Sequence, residues 1–213
     1  MRPDILFDLD GTLTDSAEGI LNSAACALQA MGRPVPPVEV LRGFVGPPLA
    51  ESFAVVCQLP PDEIPRAVTL FREYFAQRGM YENTVYPGIP QLLQRLRAGG
   101  RRLYVATNKL EVFAQQILEH FDLAQYFVQI AGSDRDRPGQ TKADVIGKVL
   151  AGSSVAPQSA VMIGDRHHDI DGAHAHGMPA IAVLYGYGSK AELAAADCFA
   201  SDVSSLISLL LQS

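Results

Sequence analysis

Five short, nearly unbroken apolar runs constrain the fold of this chain most: Ile5-Leu6-Phe7, Leu103-Tyr104-Val105-Ala106, Phe127-Val128-Gln129-Ile130, Ala160-Val161-Met162-Ile163 and Ala180-Ile181-Ala182-Val183-Leu184. Each closes on a polar or glycine-rich turn. Runs of this kind suit strands buried on both faces, as in a parallel sheet. The segments between them have helical period. Ile89, Leu92, Leu93 and Leu96 form one stripe; Val112, Phe113, Ile117, Leu118 and Phe121 form another; Val145, Ile146, Val149 and Leu150 form a third. Strands alternating with helices predict an α/β fold, a doubly wound parallel sheet.

One interval breaks the rhythm. A strand-to-strand crossover takes about 30 residues, yet the first strand ends near Asp10 and the next begins near Leu103. The interval reads as helices. Ala17, Ile20, Leu21, Ala24, Ala25, Leu28 and Met31 share a face, with Asp15 and Glu18 spaced as a capping box. Leu49, Phe53 and Val56 predict a second helix, and Ile64, Ala67, Val68, Phe71 and Phe75 a third. The expected organisation is a core of residues 1–15 and 84–213 with a helical insertion over 16–83. Leu206 to Leu211 predict a terminal helix packed on the sheet.

Composition narrows the class. The chain has 213 residues, 48% of them hydrophobic, and a formal net charge of −6, ample for a buried core and the wrong sign for a nucleic-acid polymer. A small anionic substrate is still compatible, because a bound cation reverses the local sign. Asp4, Asp8 and Asp10 interrupt the first apolar stretch, which therefore does not read as a signal peptide. The longest stretch without Asp, Glu, Lys or Arg, Gly172 to Ser189, holds two His, four Gly and Pro179, and predicts no membrane span. Cys26, Cys57 and Cys198 lie far apart and read as buried small hydrophobes in a reducing cytoplasm, the expected location.

In an open parallel sheet, ligands bind beyond the carboxyl ends of the strands. Asp8-Leu9-Asp10-Gly11-Thr12 follows the first run and Thr107-Asn108-Lys109 the second. Lys142 opens the helix after the third run, and Gly164-Asp165 to Asp169 follows the fourth. Carboxylates gathered at one edge repel one another unless a cation neutralises them. All-oxygen ligands beside a phosphate point to magnesium. Asp8 and Asp10 face one substrate only if the strand ends between them, a bend that Gly11 permits. One carboxylate can then attack phosphorus while the other exchanges protons with the leaving oxygen, with Asp8 as nucleophile and Asp10 as acid and later base.

The stretch Asp8-Leu9-Asp10-Gly11-Thr12-Leu13-Thr14-Asp15-Ser16 resembles the first motif of haloacid-dehalogenase-like phosphatases. Thr107, Lys142 and Gly164-Asp165…Asp169 fall where the second, third and fourth motifs belong. The resemblance implies a Rossmann-like core with an inserted helical cap of the C1 type. It implies magnesium held by the Asp8 carboxylate, the Asp10 main-chain carbonyl and Asp165, with Asp169 a ligand or the partner of one. Thr107 and Lys142 would hold the phosphoryl group, with Asn108 beside it. Phe44-Val45-Gly46-Pro47-Pro48-Leu49, Tyr86-Pro87-Gly88-Ile89 and Val183-Leu184-Tyr185-Gly186-Tyr187-Gly188 resemble the phosphoglycolate phosphatase and 5′-nucleotidase branch. Arg42 and Phe44 either face the substrate from the insertion or belong to an interhelical turn.

The expected activity is hydrolysis of a small phosphate ester, phosphoglycolate or a nucleoside 5′-monophosphate. Asp10 argues against a dehalogenase, which has no leaving alcohol to protonate. Residues 16–83 hold no lysine, so the Schiff-base lysine expected of a phosphonatase cap is absent. A sugar-phosphate mutase shares both aspartates. An aspartate-phosphorylated signalling domain shares fold, metal and lysine, but places its acidic pair side by side and needs no insertion.

Overall fold

The computed structural model describes residues 3–137 and 139–211. Six parallel strands form the main sheet: β1 (Asp4–Phe7), β4 (Arg102–Leu110), β5 (Phe127–Ser133), β6 (Ala160–Gly164), β7 (Ala180–Val183) and β8 (Cys198–Ala200), in the order β5-β4-β1-β6-β7-β8. β2 (Thr14–Asp15) and β3 (Thr84–Val85) form a separate two-stranded ribbon. The five apolar runs supply β1, β4, β5, β6 and β7. β8, with three residues, and the ribbon, with two in each strand, are too short to announce themselves.

β1 lies at the centre with Ile5, Leu6 and Phe7 buried, which is why its sequence is apolar on both faces. Its register sets Phe7 beside Val105 of β4 and Ile163 of β6. The next residues, Asp8, Ala106 and Gly164, therefore stand in one row where β1 ends. Asp4 sits at the opposite end, fully buried, where Arg102 Nε approaches at 2.7 Å and the Tyr104 hydroxyl donates at 3.2 Å. That aspartate ties two strands together far from the chemistry.

Helices α5 (Ile89–Ala98), α6 (Glu111–His120), α7 (Lys142–Ser153), α8 (His167–Ala175) and α9 (Val203–Leu211) accompany the sheet. Val145, Ile146 and Val149 of α7 and Ile170 and Ala173 of α8 pack in one cluster with Leu6, Tyr104, Met162 and Leu193. α7 starts sharply because Thr141 and Asp144 form a reciprocal capping box, the Thr141 hydroxyl accepting from Asp144 N at 3.2 Å and the Asp144 carboxylate from Thr141 N at 2.8 Å.

By its internal contacts the chain divides into two compact units, Met1–Thr14 with Val85–Ser213 and, separately, Asp15–Thr84. The second holds α1 (Ala17–Ala30), α2 (Val38–Leu41), α3 (Leu49–Val55) and α4 (Ile64–Tyr74). A chain of aromatic contacts forms its core. Phe44 meets Phe53 edge-on at 4.9 Å, Phe53 meets Phe71 at 6.4 Å, and Phe71 stacks on Phe75 at 5.8 Å.

Three local expectations need correction. The Asp15–Glu18 capping box does not form: α1 begins at Ala17 with Ser16 at its cap, and the Asp15 carboxylate accepts from Ala17 N at 3.2 Å. Val112 points to solvent, and Ala114 takes its place beside Phe113, Ile117 and Leu118. The cysteines are free as expected but not buried; Cys26 and Cys57 are half-buried and Cys198 is exposed on the edge strand β8. Among the described residues, no helix is long and apolar enough to cross a membrane.

Candidate active site

The site grows from the end of β1. Asp8 still pairs with the sheet, its N–H donating to Ile163 O at 2.9 Å, and then the chain turns. Leu9 O accepts from the N–H groups of Thr12, Leu13 and Thr14 at 3.3, 2.9 and 3.0 Å. Gly11 has φ +83°, and a Cβ there would lie 2.2 Å from Asp165 Oδ2. Only glycine combines that backbone conformation with so close an approach. The turn separates the two aspartates of the motif and sends their carboxylates to different partners.

Asp8, Asp165 and Asp169 each offer a carboxylate oxygen, all within 4.8 Å of one another, and all three residues are buried. Lys142 Nζ lies among them, 2.9 Å from Asp8 Oδ1 and 2.7 Å from Asp169 Oδ1, and donates to Ala106 O at 3.0 Å. Its three protons are thereby spent. Three carboxylates against one ammonium leave an excess of two negative charges when all are ionised. Burial pushes the Asp8 carboxyl up to about 6, with Lys142 pulling down and Asp169 adding to the rise. Burial, then the charges of Asp169 and Asp8, hold Asp165 well above the usual carboxylate range. For Lys142, burial opposes the charge, but Asp169 and Asp8 outweigh it and keep the ammonium protonated. A cluster of hard oxygens with that charge deficit fits a divalent cation such as magnesium.

Asp165 is held on both sides, accepting from Tyr187 N at 2.8 Å and from the Thr12 hydroxyl at 3.4 Å. Asp169 has both oxygens engaged, one on Lys142 and the other on Arg166 N at 3.0 Å. The Asp10 carboxylate is not in the cluster. Its Oδ2 pairs with Lys109 Nζ at 2.9 Å, while its buried Oδ1 has no hydrogen-bond partner among the described residues. Thr107 is buried beside the row, its oxygen accepting from Lys109 N at 3.3 Å. The Asn108 side chain is exposed, and its carbonyl accepts from the Ser133 hydroxyl at 2.9 Å.

Two sequence-predicted residues lie in the other unit. Arg42 is exposed there. Phe44 is 2% exposed, with its ring against Phe53. Of the two readings for Phe44, its burial favours the interhelical turn, with the ring taken up by the core of that unit. Sequence reasoning left the role of Lys109 open and did not single out Tyr187 N as a partner of Asp165. The adjacency of Lys109 to Thr107-Asn108 was the only available signal for the first. A main-chain donor leaves none.

The fold and this edge define an α/β protein with buried carboxylates gathered where its central strand ends. Residues 5–183 match the family of haloacid dehalogenase-like hydrolases, and the chain belongs to that family. It is 44% identical over 193 residues to a 5′-nucleotidase of Pseudomonas aeruginosa, spanning 91% of this chain and 87% of that one. It is 43% identical over 184 residues to the tyrosine-protein kinase PtkA of Mycobacterium tuberculosis, spanning 86% of this chain but 62% of that longer protein. A crystal structure of a predicted phosphatase from Clostridium acetobutylicum matches the full length of both chains, with a TM-score of 0.93 at 43% identity. The protein is a hydrolase of the phosphatase class within this family.

Proposed function

We propose that the protein is a magnesium-dependent phosphomonoesterase that acts on a nucleoside 5′-monophosphate or another small phosphorylated metabolite such as phosphoglycolate. The observation that carries this reading is the buried Asp8 carboxylate beside Lys142 in a cluster two charges short of neutrality. The similarity to a 5′-nucleotidase supports the nucleotide as the first substrate to test. The free cysteines are compatible with a reducing cytoplasm.

In this reading an Asp8 oxygen forms the bond to phosphorus as the ester oxygen leaves, and Asp10 gives that oxygen its proton. Asp10 then removes a proton from water, whose oxygen attacks phosphorus and returns Asp8 as a free carboxylate. Bound magnesium would supply neutralising charge, held by Asp8, Asp165 and the Asp10 main-chain carbonyl. Asp169, with both oxygens already engaged, acts by orienting Lys142 and its own loop. Thr107 accepts from Lys109 N, so its hydroxyl proton is left for a phosphoryl oxygen. Lys142 offers field rather than a spare donor. Asn108, exposed at the end of the same row, and Arg42, exposed on the insertion, remain candidates for contact with the rest of the substrate.

The test is release of phosphate from p-nitrophenyl phosphate and from a panel containing AMP, UMP and phosphoglycolate, with chelator and then with magnesium restored. Turnover that is absent in chelator and returns with magnesium is expected. Magnesium-independent turnover, or none at all, would contradict the reading. The similarity to PtkA gives transfer of the phosphoryl group to another acceptor a place in the same experiment, because a transferase releases product without stoichiometric inorganic phosphate.

A pH dependence accompanies the metal. Asp8 is raised to about 6 and Asp165 is raised as well, so in the metal-free protein protons compete with the ion. Magnesium affinity is expected to increase by about tenfold per pH unit for each proton displaced between pH 5 and 6, with proton uptake by the buffer. Titration calorimetry at pH 5.5 in two buffers of different ionisation enthalpy reads that proton. Identical heats in both buffers would mean that the carboxylates are already ionised.

A further inference from the structure

The helix that follows Asp165 has an incomplete beginning. The first N–H groups of a helix have no partner inside it, and the capping residue normally supplies an acceptor. At the start of α8 that position is Arg166, whose side chain can only donate. The acceptor comes from elsewhere. Oε1 of Glu192 accepts from His167 N at 3.2 Å and from Arg166 Nε at 2.8 Å, and lies 3.0 Å from His167 Nδ1.

Glu192 is itself well placed to do this. Its N–H donates to the Ser189 hydroxyl at 3.2 Å, Leu193 N donates to Ser189 O at 3.1 Å, and the Leu193 side chain is fully buried in the core beneath α8. The same segment grips Asp165. Tyr187 N donates to Asp165 Oδ2, a Cβ at Gly186 would lie 2.4 Å from Asp165 Cβ, and one at Gly188 would lie 2.0 Å from Asp165 O. The Tyr185 hydroxyl donates to Thr12 O at 3.0 Å, reaching the turn that follows Asp8. Residues 185–193 thus hold Asp165 through the main chain and the next two residues through one carboxylate.

We propose that Glu192 is a positioning residue for the metal site. It closes the first turn of α8 with a borrowed acceptor and so fixes Asp165, just before the helix, as a ligand, and Asp169, in its first turn, as the partner of Lys142. The proposal rests on the reading of Asp8 and Asp165 as magnesium ligands, with Asp169 orienting Lys142 beside them. Residues that orient metal-binding groups typically contribute about 10–100-fold to metal affinity.

The experiment is calorimetric titration of magnesium into metal-depleted wild type, Glu192→Ala and Glu192→Gln, with thermal melts of the three metal-free proteins. Glu192→Ala is expected to bind magnesium about 10–100-fold more weakly. Glu192→Gln keeps an oxygen that can receive the His167 and Arg166 protons, and is expected to stay within about threefold of wild type. Wild-type affinity in Glu192→Ala, whatever its melting temperature, reduces the residue to a structural role and overturns the proposal. Equal losses in both variants also overturn it, because they assign the effect to charge rather than to an acceptor. If Glu192→Ala does not fold, Glu192→Asp replaces it. That side chain is charged but one methylene short, so it should bind more weakly than Glu192→Gln, and the reverse order overturns the proposal. Failure of wild type itself to bind magnesium refutes the reading of the site, a result distinct from indifference of the variants.

Discussion

Asp8→Asn is expected to lower turnover by about 10⁴-fold or more, on the scale seen when a covalent nucleophile is removed, and to leave the metal-free protein no less stable at pH 8. The first part follows because an amide does not form the phosphoryl bond that a carboxylate oxygen forms. The second follows from where the contacts fall. Both Leu9 N, at 2.7 Å, and Lys142 Nζ, at 2.9 Å, meet Asp8 Oδ1, so the amide oxygen of Asn can keep both. The charge is what changes. A carboxyl raised from 3.8 to about 6 by burial costs the folded state on the order of 3 kcal/mol when it ionises. The folded form holds its proton longer than the unfolded chain, so this cost grows as pH rises from about 4 and is complete above about 6. Asn removes it, at the expense of one countercharge for Lys142. Turnover within tenfold of wild type would exclude Asp8 as nucleophile, and a fall of several degrees in melting temperature would show that its charge supports the fold.

Much of this edge was legible in the sequence because β1, β4 and β6 are buried on both faces. Such strands must be apolar throughout, so the polar residues that end them stand out: Asp8 and Thr107 follow an apolar run directly, and Asp165 follows one after Gly164. Lys142 was legible for a different reason, since it opens the helix after the third run and falls where the resemblance places the third motif. What could not be read lies in contacts between distant segments. Nothing around Glu192 signals that its carboxylate reaches Arg166 and His167, and nothing local pairs Lys109 with Asp10. Phe44 stood between two readings, a substrate contact and an interhelical turn; it lies between α2 and α3, and its ring is drawn into the core because Phe53, Phe71 and Phe75 are there to receive it. β8 escaped because its three residues follow Asp197 and precede Ser201 on an exposed edge, too short a run to separate from a loop.

Asp165→Asn should separate binding from folding more sharply than any other single change. Asp165 is fully buried, and its charge is opposed first by that burial and then by Asp169 and Asp8, against smaller support from Tyr187 N and Lys142. The variant amide can turn its oxygen to Tyr187 N and its nitrogen to the Thr12 hydroxyl, which can accept as well as donate, so no polar atom is stranded. Magnesium binding is expected to weaken by more than about 100-fold, beyond the loss for a residue that only orients a ligand. The metal-free variant should meanwhile melt a few degrees above metal-free wild type at pH 8, since each kilocalorie relieved raises the midpoint by about 2–4 °C in a chain of this size. Added magnesium should raise the melting temperature of wild type, because the ion binds the folded form, and should leave the variant unmoved. The metal-free order matters most, because it tests whether the carboxylates at this edge are held together against their own repulsion for the sake of the ion. A variant that melts lower than wild type without metal, yet binds magnesium as well, would mean that Asp165 serves the fold through Tyr187 and Thr12 and that the ion is held elsewhere.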